Sequence, residues 1–505
     1  MHATYVPSLS ARYRRPGGPW DVADLDTLLA SRPVEIVEPT ARLGPDRIDD
    51  AVARVAGGLL AAGVRRGRAV AWQLPNGAAA AILPRACWRI GAVAAPVHHA
   101  FGSAERDAAL AQIDPAFVLE APAAPAASPA DPLAPLGPLT GGTPVPAGVM
   151  GSRPSDVAVV LFTSGSTGTP KAVLHTHRSL AHKAVLMARI HGLTGADTVL
   201  MPAPLAHISG LLNGILLPGA AGMRSVLMAR FDPEHACDLI AGERVTFMAG
   251  PPTFFVAIAG ALDGRRQAVA SLRLVSSGGA TVSAAFVAET AEVFGCRVKR
   301  TYGSTEAPTV TTTTASDPPE AARETDGRAV GAVELAVCDP GSGRRLAPGS
   351  VGLLSVRGPE LFAGYANPAH NVAAFARGGW FRTGDLASVD DAGWLQVKGR
   401  AGDLIIRGGE NIVAAEIEAV LESHASVRHA VVVGYPDPLM GERAAAFVIA
   451  EPALSLEECA RWFAARGVAR FKTPERVVNL DHLPLLGSGK PDRAGLRSRV
   501  AEPTS

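Results

Sequence analysis

The stretch 161–173, LFTSGSTGTPKAV, decides how this chain is read. Ser, Thr and Gly crowd around one lysine, Lys171, directly after the apolar run VAVVLF. Small residues let backbone N–H groups close on an anion, and hydroxyls add donors, so phosphate is the first ligand to consider. The spacing is not that of the ordinary nucleotide loop, G-x-x-x-x-G-K-[ST]. Gly165 and Gly168 are three apart, and Ala172 stands where Ser or Thr belongs. AVLHTH follows and reads as a strand before any helix. On these residues alone the stretch is either a polar turn between two strands or a phosphate loop of another kind.

The rest of the chain has to decide. Its 505 residues exceed what one core usually organises, so at least two domains are expected. Hydrophobic residues at 48% and charged residues at 19% are globular values. A net charge of +1 provides no bulk attraction to nucleic acid or to an anionic membrane. The N-terminus, MHATYVPSLSARYRRPGG, has no apolar segment of the secretory kind. No apolar run approaches the ~18 residues of a spanning helix. Cys87, Cys237, Cys296, Cys338 and Cys459 are scattered without a C-x-x-C pair. That argues against a zinc site or a disulfide framework and predicts a cytoplasmic protein whose cysteines are small buried hydrophobes.

Patterning along the chain is α/β. DRIDDAVARVAGGLLAAG reads as a helix with Ile48, Val52, Val55, Leu59 and Leu60 on one face and Gly63 past its end. AVAWQLP and AVAAPVH read as strands around a second helix, the β-α-β rhythm of a parallel sheet. Residues 121–147 are nearly all Ala, Pro, Gly and Leu, which predicts an exposed connection that packs no core. RSVLMA, VTFMAG and LRLVSSGG are further strands among helices. From 330 to 398, short strands with Gly turns predict a β-rich subdomain. After GRAGD comes an amphipathic helix with Ile417, Val420 and Leu421 inward, then two strands. A second helix follows, opened by Ser455 with Glu458 three residues on. A domain boundary is expected near 399–402, leaving an α+β domain of about one hundred residues.

Four further stretches carry chemistry. RTYGSTEAP presents Tyr302, Gly303, Thr305 and Glu306, an aromatic face, a hydroxyl and a carboxylate within five residues. Mg²⁺ takes oxygen ligands and is often held by one carboxylate plus substrate phosphates, which suits Glu306. A carboxylate at a helix start is the plainer reading. Asp385 sits in a TGD turn, and Arg400 closes the same segment. Carboxylates take ribose hydroxyls in nucleotide sites, and they also bond their own backbone in turns. Gly408, Gly409 and Glu410 precede a helix, and Lys490 lies in a Gly-rich turn near the end of the chain. Each of these could be a solvated loop.

The ordered set resembles the adenylate-forming enzyme superfamily: acyl-CoA synthetases, luciferases and the adenylation domains of peptide synthetases. The likeness runs from GVRRGRAVAWQLPNG at residue 63 to GLRSR at 495. It includes TSGSTGTPK, PLAHISG, SSGGA, YGSTE, RTGD, GRAGDLIIRGGENI and GSGK. It implies an α/β fold, with a large N-terminal domain of parallel β/α sheets plus a β-rich subdomain over 1–398. A hinge at 399–402 and a small mobile α+β C-terminal domain over 403–505 would follow.

The implied activity is adenylation of a carboxylate by ATP with release of pyrophosphate, then displacement of AMP by a thiol, usually that of CoA. By the resemblance, Thr163, Ser164, Gly165, Ser166, Thr167, Gly168 and Lys171 form the loop that clasps the β- and γ-phosphates. Tyr302 stacks on adenine against Gly278, Gly279 and Ala280, with Gly303 beside it. Asp385 and Arg400 take the ribose, Thr305 the α-phosphate, and Glu306 holds Mg²⁺. Lys490 bridges the incoming carboxylate and the α-phosphate, and His207 lies where that carboxylate enters, with a core or capping histidine as the alternative reading of His207. Rotation of the small domain withdraws Lys490 and brings Gly408, Gly409 and Glu410 to the acyl site. Two positions depart from the family pattern. Gly402 stands at the hinge where Asp or Lys is usual, and Pro491 follows Lys490 where an aliphatic residue is commoner.

Amino-acid-activating relatives carry an Asp in the segment matching AHIS, whereas here Ala206 and Ile208 flank His207. An α-ammonium would be left unpaired, so the expected substrate is a small-molecule carboxylic acid without one. Ile208 and Phe254 are acyl-pocket candidates, and Met248 and Phe255 fit either pocket or core. The expected co-substrates are ATP, Mg²⁺ and CoA, with a separate carrier protein's phosphopantetheine as the alternative acceptor. No nucleic-acid partner and no membrane span are expected. A non-catalytic adenylate-binding protein is the alternative of another class, opposed by the retention of Lys490, Glu306, Asp385 and Arg400.

Overall fold

Strand and helix positions follow from which side chains can be buried. The computed structural model describes residues 7–39, 41–120, 131–150, 152–163, 170–280, 282–407, 410–485 and 491–501. The chain forms two compact units. The first comprises Met1–Leu335, Val356–Phe381 and Gly393–Leu395, and the second Ala336–Ser355, Arg382–Ala392 and Gln396–Ser505.

The first unit holds two sheets. In the nine-stranded sheet, Arg297–Tyr302, Leu274–Gly278, Phe247–Gly250, Thr198–Met201, Arg224–Leu227 and Ile36–Glu38 lie side by side and parallel. Strands buried on both faces read as continuous apolar runs, and FMAG and TVLM are of that kind, while LVSSG buries two serines as well. The six-stranded sheet runs Gly364–Tyr365, Lys171–Thr176, Val157–Thr163, Val93–Pro96, Ala69–Trp72, Phe117–Leu119. Within it, Val157–Thr163 and Lys171–Thr176 form an antiparallel hairpin whose last pair is Thr163 and Lys171.

Helix Pro45–Ala61 buries Ile48, Val52, Val55 and Leu59, as its periodicity predicts. One expectation fails beside it. Of the Pro-rich tract 121–147, residues 121–130 lie outside the described residues, but Ala134–Gly141 is a 3₁₀ helix with Leu136 and Leu139 buried in the core. A kink at Gly137, with a φ of +47°, divides the segment, and Leu136 and Leu139 on either side of it both join the core. Glycines then let the backbones meet: a Cβ on Gly57 would lie 1.9 Å from the Thr143 oxygen, and one on Gly58 2.4 Å from the Leu139 oxygen. Composition alone hides this packing, because the space is made by residues 81 to 86 positions away.

Strands Glu334–Cys338, Gly352–Arg357, Trp380–Val389, Phe375–Ala376 and Leu395–Arg400 make the β-rich five-stranded sheet. In the second unit, Glu410–Val413, Leu404–Arg407, Gly441–Ala450 and Val427–Asp437 form an antiparallel sheet, with Arg476–Asn479 parallel to Gly441–Ala450. Ile417 and Leu421 of helix Ala414–Glu422 pack on its core with Phe463, and Val420 is half-buried. The Ser455 hydroxyl caps helix Leu456–Ala465 by accepting from the Glu458 N–H at 3.1 Å. Among the described residues no helix is long and apolar enough to cross a membrane. Cys87, Cys237 and Cys459 are buried, and Cys296 and Cys338 half-buried, all as free thiols.

Candidate active site

Ligands of open parallel sheets gather outside the carboxyl ends of the strands. Three of the sequence motifs leave the nine-stranded sheet there. Strand Thr198–Met201 leads into the segment ending at His207, the N-cap of helix Ile208–Leu211. Buried Asn76 shapes that segment, donating to the Met201 and Ala203 carbonyls at 3.3 and 2.8 Å and accepting from the Leu205 N–H at 2.8 Å. A Cβ on Gly210 would lie 2.0 Å from the Pro204 oxygen, so only glycine closes this turn. The His207 ring meets the His98 ring at 4.7 Å. His98 Nδ1 accepts from the Ala100 N–H at 3.0 Å, and burial lowers its pKa to about 4, so this imidazole is neutral near pH 7.

The next two motifs leave adjacent strands. Gly278 pairs in register with Thr301, 23 positions on, so Gly279 and Tyr302 leave the sheet side by side. A Cβ on Gly278 would lie 2.1 Å from the Thr301 oxygen. After Tyr302 the chain makes a tight turn, with the Ser304 N–H donating to the Ala307 oxygen at 3.0 Å and the Val310 N–H to the Tyr302 oxygen at 2.8 Å. Gly303 is enclosed by this turn, since a Cβ there would meet the Thr309 nitrogen at 2.4 Å.

The backbone of Thr305 and Glu306 is held from two sides. His175 Nε2 and the Thr305 oxygen are 2.7 Å apart, and the Phe362 N–H donates to the Glu306 oxygen at 2.8 Å. Burial lowers the His175 pKa to about 4, so the ring is neutral and Nε2–H is the donor to the carbonyl. The Tyr365 hydroxyl donates to Glu306 Oε1 at 2.8 Å. Glu306 Oε2 has no partner among the described residues, and the side chain is half-buried. No cluster of three or more His, Cys, Asp or Glu among the described residues could hold a metal by itself. A single carboxylate with an open oxygen fits a hard cation shared with substrate phosphates. The Lys171 ammonium lies 5.6 Å from the Tyr365 ring centroid, which puts the Thr163–Lys171 end of the hairpin near Glu306.

The acyl-pocket candidates separate. Met248 and Phe255 are core residues, fully buried. Ile208 and Phe254 are half-buried, and the Phe254 ring lies 4.5 Å from that of Phe231. A Cβ on Gly250 would meet the Phe254 ring at 2.8 Å, so the glycine makes room for it.

The second unit brings Asp385 and Arg400 together. Arg400 Nε and Asp385 Oδ1 are 2.8 Å apart, and Arg400 Nη1 donates to the Thr383 oxygen at 3.3 Å. The Thr383 hydroxyl accepts from the Asp385 N–H at 3.0 Å, and Gly384 between them takes a φ of +75°. Gly402 lies in the short turn Ala401–Asp403 with open space around it, and its carbonyl accepts from Arg497 at 3.2 Å. Ser164, Gly165, Ser166, Thr167, Gly168, Gly408, Gly409 and Lys490 lie outside the described residues, and Glu410 is described in its backbone alone.

Sequence reasoning missed Asn76, His98, His175 and Tyr365. Each acts through partners 59 to 130 positions away or through ring contacts, so no local spacing marks it. His175 of AVLHTH and Tyr365 of AGYAN lie buried in strands, where a polar side chain was the available signal.

Residues 36–366 match the AMP-binding enzyme family, and residues 416–490 match the AMP-binding enzyme C-terminal domain. The chain belongs to this family and is an adenylate-forming acid ligase, as the motifs predict. The medium-chain fatty-acid–CoA ligase of Escherichia coli K12 is 32% identical to it, over 92% of this chain and 89% of that one. Pyochelin synthase PchD of Pseudomonas aeruginosa is 38% identical over 69% of this chain and 64% of its own. The solved structure of o-succinylbenzoate CoA synthetase (MenE) from Bacillus subtilis, in complex with the acyl-adenylate intermediate, superposes with a TM-score of 0.82 at 27% identity. It covers 96% of this chain and 99% of its own.

Proposed function

We propose that the protein converts a carboxylic acid lacking an α-amino group into its CoA thioester. In the first half-reaction an acid carboxylate oxygen attacks the α-phosphorus of ATP. The bond from that phosphorus to the bridging oxygen breaks, and pyrophosphate leaves. In the second, the CoA sulfur attacks the acyl carbon and AMP leaves. Support for CoA as acceptor comes from the match to a fatty-acid–CoA ligase along 92% of the chain. Pyochelin synthase, named for a different product, is also similar, so a carrier protein's pantetheine is the alternative acceptor.

Two anions meet in the first step, so the site must neutralise charge where it develops. Lys171 and the loop 164–169 take the β- and γ-phosphates in this reading, and Thr305 the α-phosphate. Glu306 holds Mg²⁺, which would screen the phosphate charge. Tyr302 lies under adenine against the Gly278–Ala280 backbone, and Asp385 accepts from the ribose hydroxyls with Arg400 beside it. His207 meets the acid, and the apolar neighbours Ala206, Ile208 and Phe254 disfavour a substrate ammonium. Lys490 bridges acid and α-phosphate, a task suited to a compact charge on a long stem. Residues 399–402 serve as the hinge on which 403–505 turns to present Gly408, Gly409 and Glu410 for the second step. Gly402, with open space around it, lets the backbone change conformation easily.

The test is a panel of fatty, branched, alicyclic and aryl acids with ATP and Mg²⁺, following pyrophosphate with and without CoA. Pyrophosphate that accelerates with CoA, with thioester formed, supports the reading. Pyrophosphate without CoA turnover points to a carrier protein. Lys490→Ala should abolish pyrophosphate release yet largely spare thioester formation from supplied acyl-adenylate. Equal loss of both half-reactions would sink the role given to Lys490.

A further inference from the structure

We propose that Tyr365 is a positioning residue that couples the Lys171 ammonium to the Glu306 carboxylate and so sets how strongly Mg²⁺ supports ATP binding. The inference rests on the reading of Glu306 as the Mg²⁺ carboxylate and of Lys171 as a phosphate contact.

Three observations carry it. The Tyr365 hydroxyl donates to Glu306 Oε1 at 2.8 Å, while Oε2 has no partner among the described residues. A hydroxyl bonded to an ionised carboxylate is a charge-assisted contact, stronger than a neutral one. It holds one oxygen and leaves the other for a ligand. The face of the same ring lies beneath the Lys171 ammonium, 5.6 Å from its centroid, within reach of the ring quadrupole. One side chain thus touches both groups, which stand 135 residues apart in the chain.

The ring is itself firmly placed. Strand Gly364–Tyr365 pairs with Lys171–Thr176, Tyr365 opposite Val173, two residues beyond Lys171. Asn371 clamps the Tyr365 backbone, accepting from its N–H at 2.8 Å and donating to its oxygen at 3.1 Å. Phe362 and His370 pack edge-on at 5.0 and 5.7 Å between centroids. A long flexible glutamate loses rotamer freedom when it binds a cation. A rigid hydroxyl removes part of that loss in advance, and a packed phenylalanine would not.

The test separates hydroxyl from ring. Tyr365→Phe keeps the packing and the face under Lys171, and Tyr365→Leu removes both. ATP binding is measured by titration calorimetry in EDTA and across a Mg²⁺ series, alongside thermal melting and pyrophosphate release. Tyr365→Phe should bind ATP as the parent does in EDTA but lose about tenfold of the affinity gained with Mg²⁺. Its half-saturating Mg²⁺ for pyrophosphate release should rise in parallel. Tyr365→Leu should also weaken ATP binding in EDTA. If Tyr365→Phe lowers the melting temperature but keeps the full Mg²⁺ gain, the residue only packs and the proposal fails. Glu306→Gln in the same titration tests the underlying reading. Full Mg²⁺ gain in that variant overturns the metal role of Glu306, and with it the coupling. Loss of the gain there, with retention in Tyr365→Phe, overturns the coupling alone.

Discussion

Asp385 and Arg400 form an ion pair at 2.8 Å in which the carboxylate side chain is 6% exposed and the guanidinium 57%. An exposed partner screens the pair, so it contributes little to stability. Its value lies in holding a desolvated acceptor in one orientation. Asp385→Asn should therefore weaken ATP binding by about 10–100-fold, the loss of a hydrogen bond to a charged group. The melting temperature should change by only a few degrees. Equilibrium binding of ATP checks this, and unchanged affinity would remove Asp385 from the nucleotide site.

The neutral His175 makes stability depend on acid. Its folded pKa of about 4 lies below the unfolded value of 6.5, so the unfolded chain binds the extra proton between them. Stability from this group is full above pH ~6.5 and lost as pH falls toward ~4, by about 3 kcal/mol at most. His175→Gln keeps a donor for the Thr305 carbonyl but takes up no proton. Denaturant titrations from pH 7 to pH 4 should show an acid limb shallower by about one proton. His98 and His177, also lowered to about 4, and His191, lowered further by burial, contribute to the slope that remains.

Backbone approach at two glycines separates site from scaffold. Gly278→Ala drives a Cβ to 2.1 Å from the Thr301 oxygen, and Gly142→Ala drives one to 2.0 Å from the Gly58 nitrogen. Both should destabilise by at least about 1–3 kcal/mol, as overpacking does. Only Gly278→Ala should also raise the dissociation constant for ATP well below its melting temperature. Equal binding by the two variants would detach the Gly278–Ala280 segment from adenine.

Lys183 and Glu360 form a fully buried ion pair at 2.6 Å, and Lys183 also donates to the Thr309 oxygen at 3.0 Å. Burial pulls the Lys183 pKa down while Glu360 opposes the shift. Lys183→Met leaves a buried carboxylate unpaired and should cost about 3–5 kcal/mol by chemical denaturation. Adding Glu360→Leu should restore most of it. A double variant no better than the single one would show that the Thr309 contact dominates.

Sequence by itself determined the class of fold and the kind of chemistry. Periodicities of 3.6 and 2 are set by which side chains face the core, so the helix at Pro45–Ala61 and the strands around Leu161 were legible locally. Motifs such as YGSTE and RTGD were legible because each places its own reactive atoms within a few residues. Tertiary structure decided what touches what. Strand order alone sets Gly278 beside Thr301, and a hairpin with the short strand Gly364–Tyr365 sets Lys171, Tyr365 and Glu306 in line. The same holds for Leu136 and Leu139, buried because Gly57 and Gly58 leave room for their backbone. Contacts between residues far apart in the chain depend on its topology and on the absence of side-chain atoms elsewhere, and neither leaves a periodic trace in the sequence.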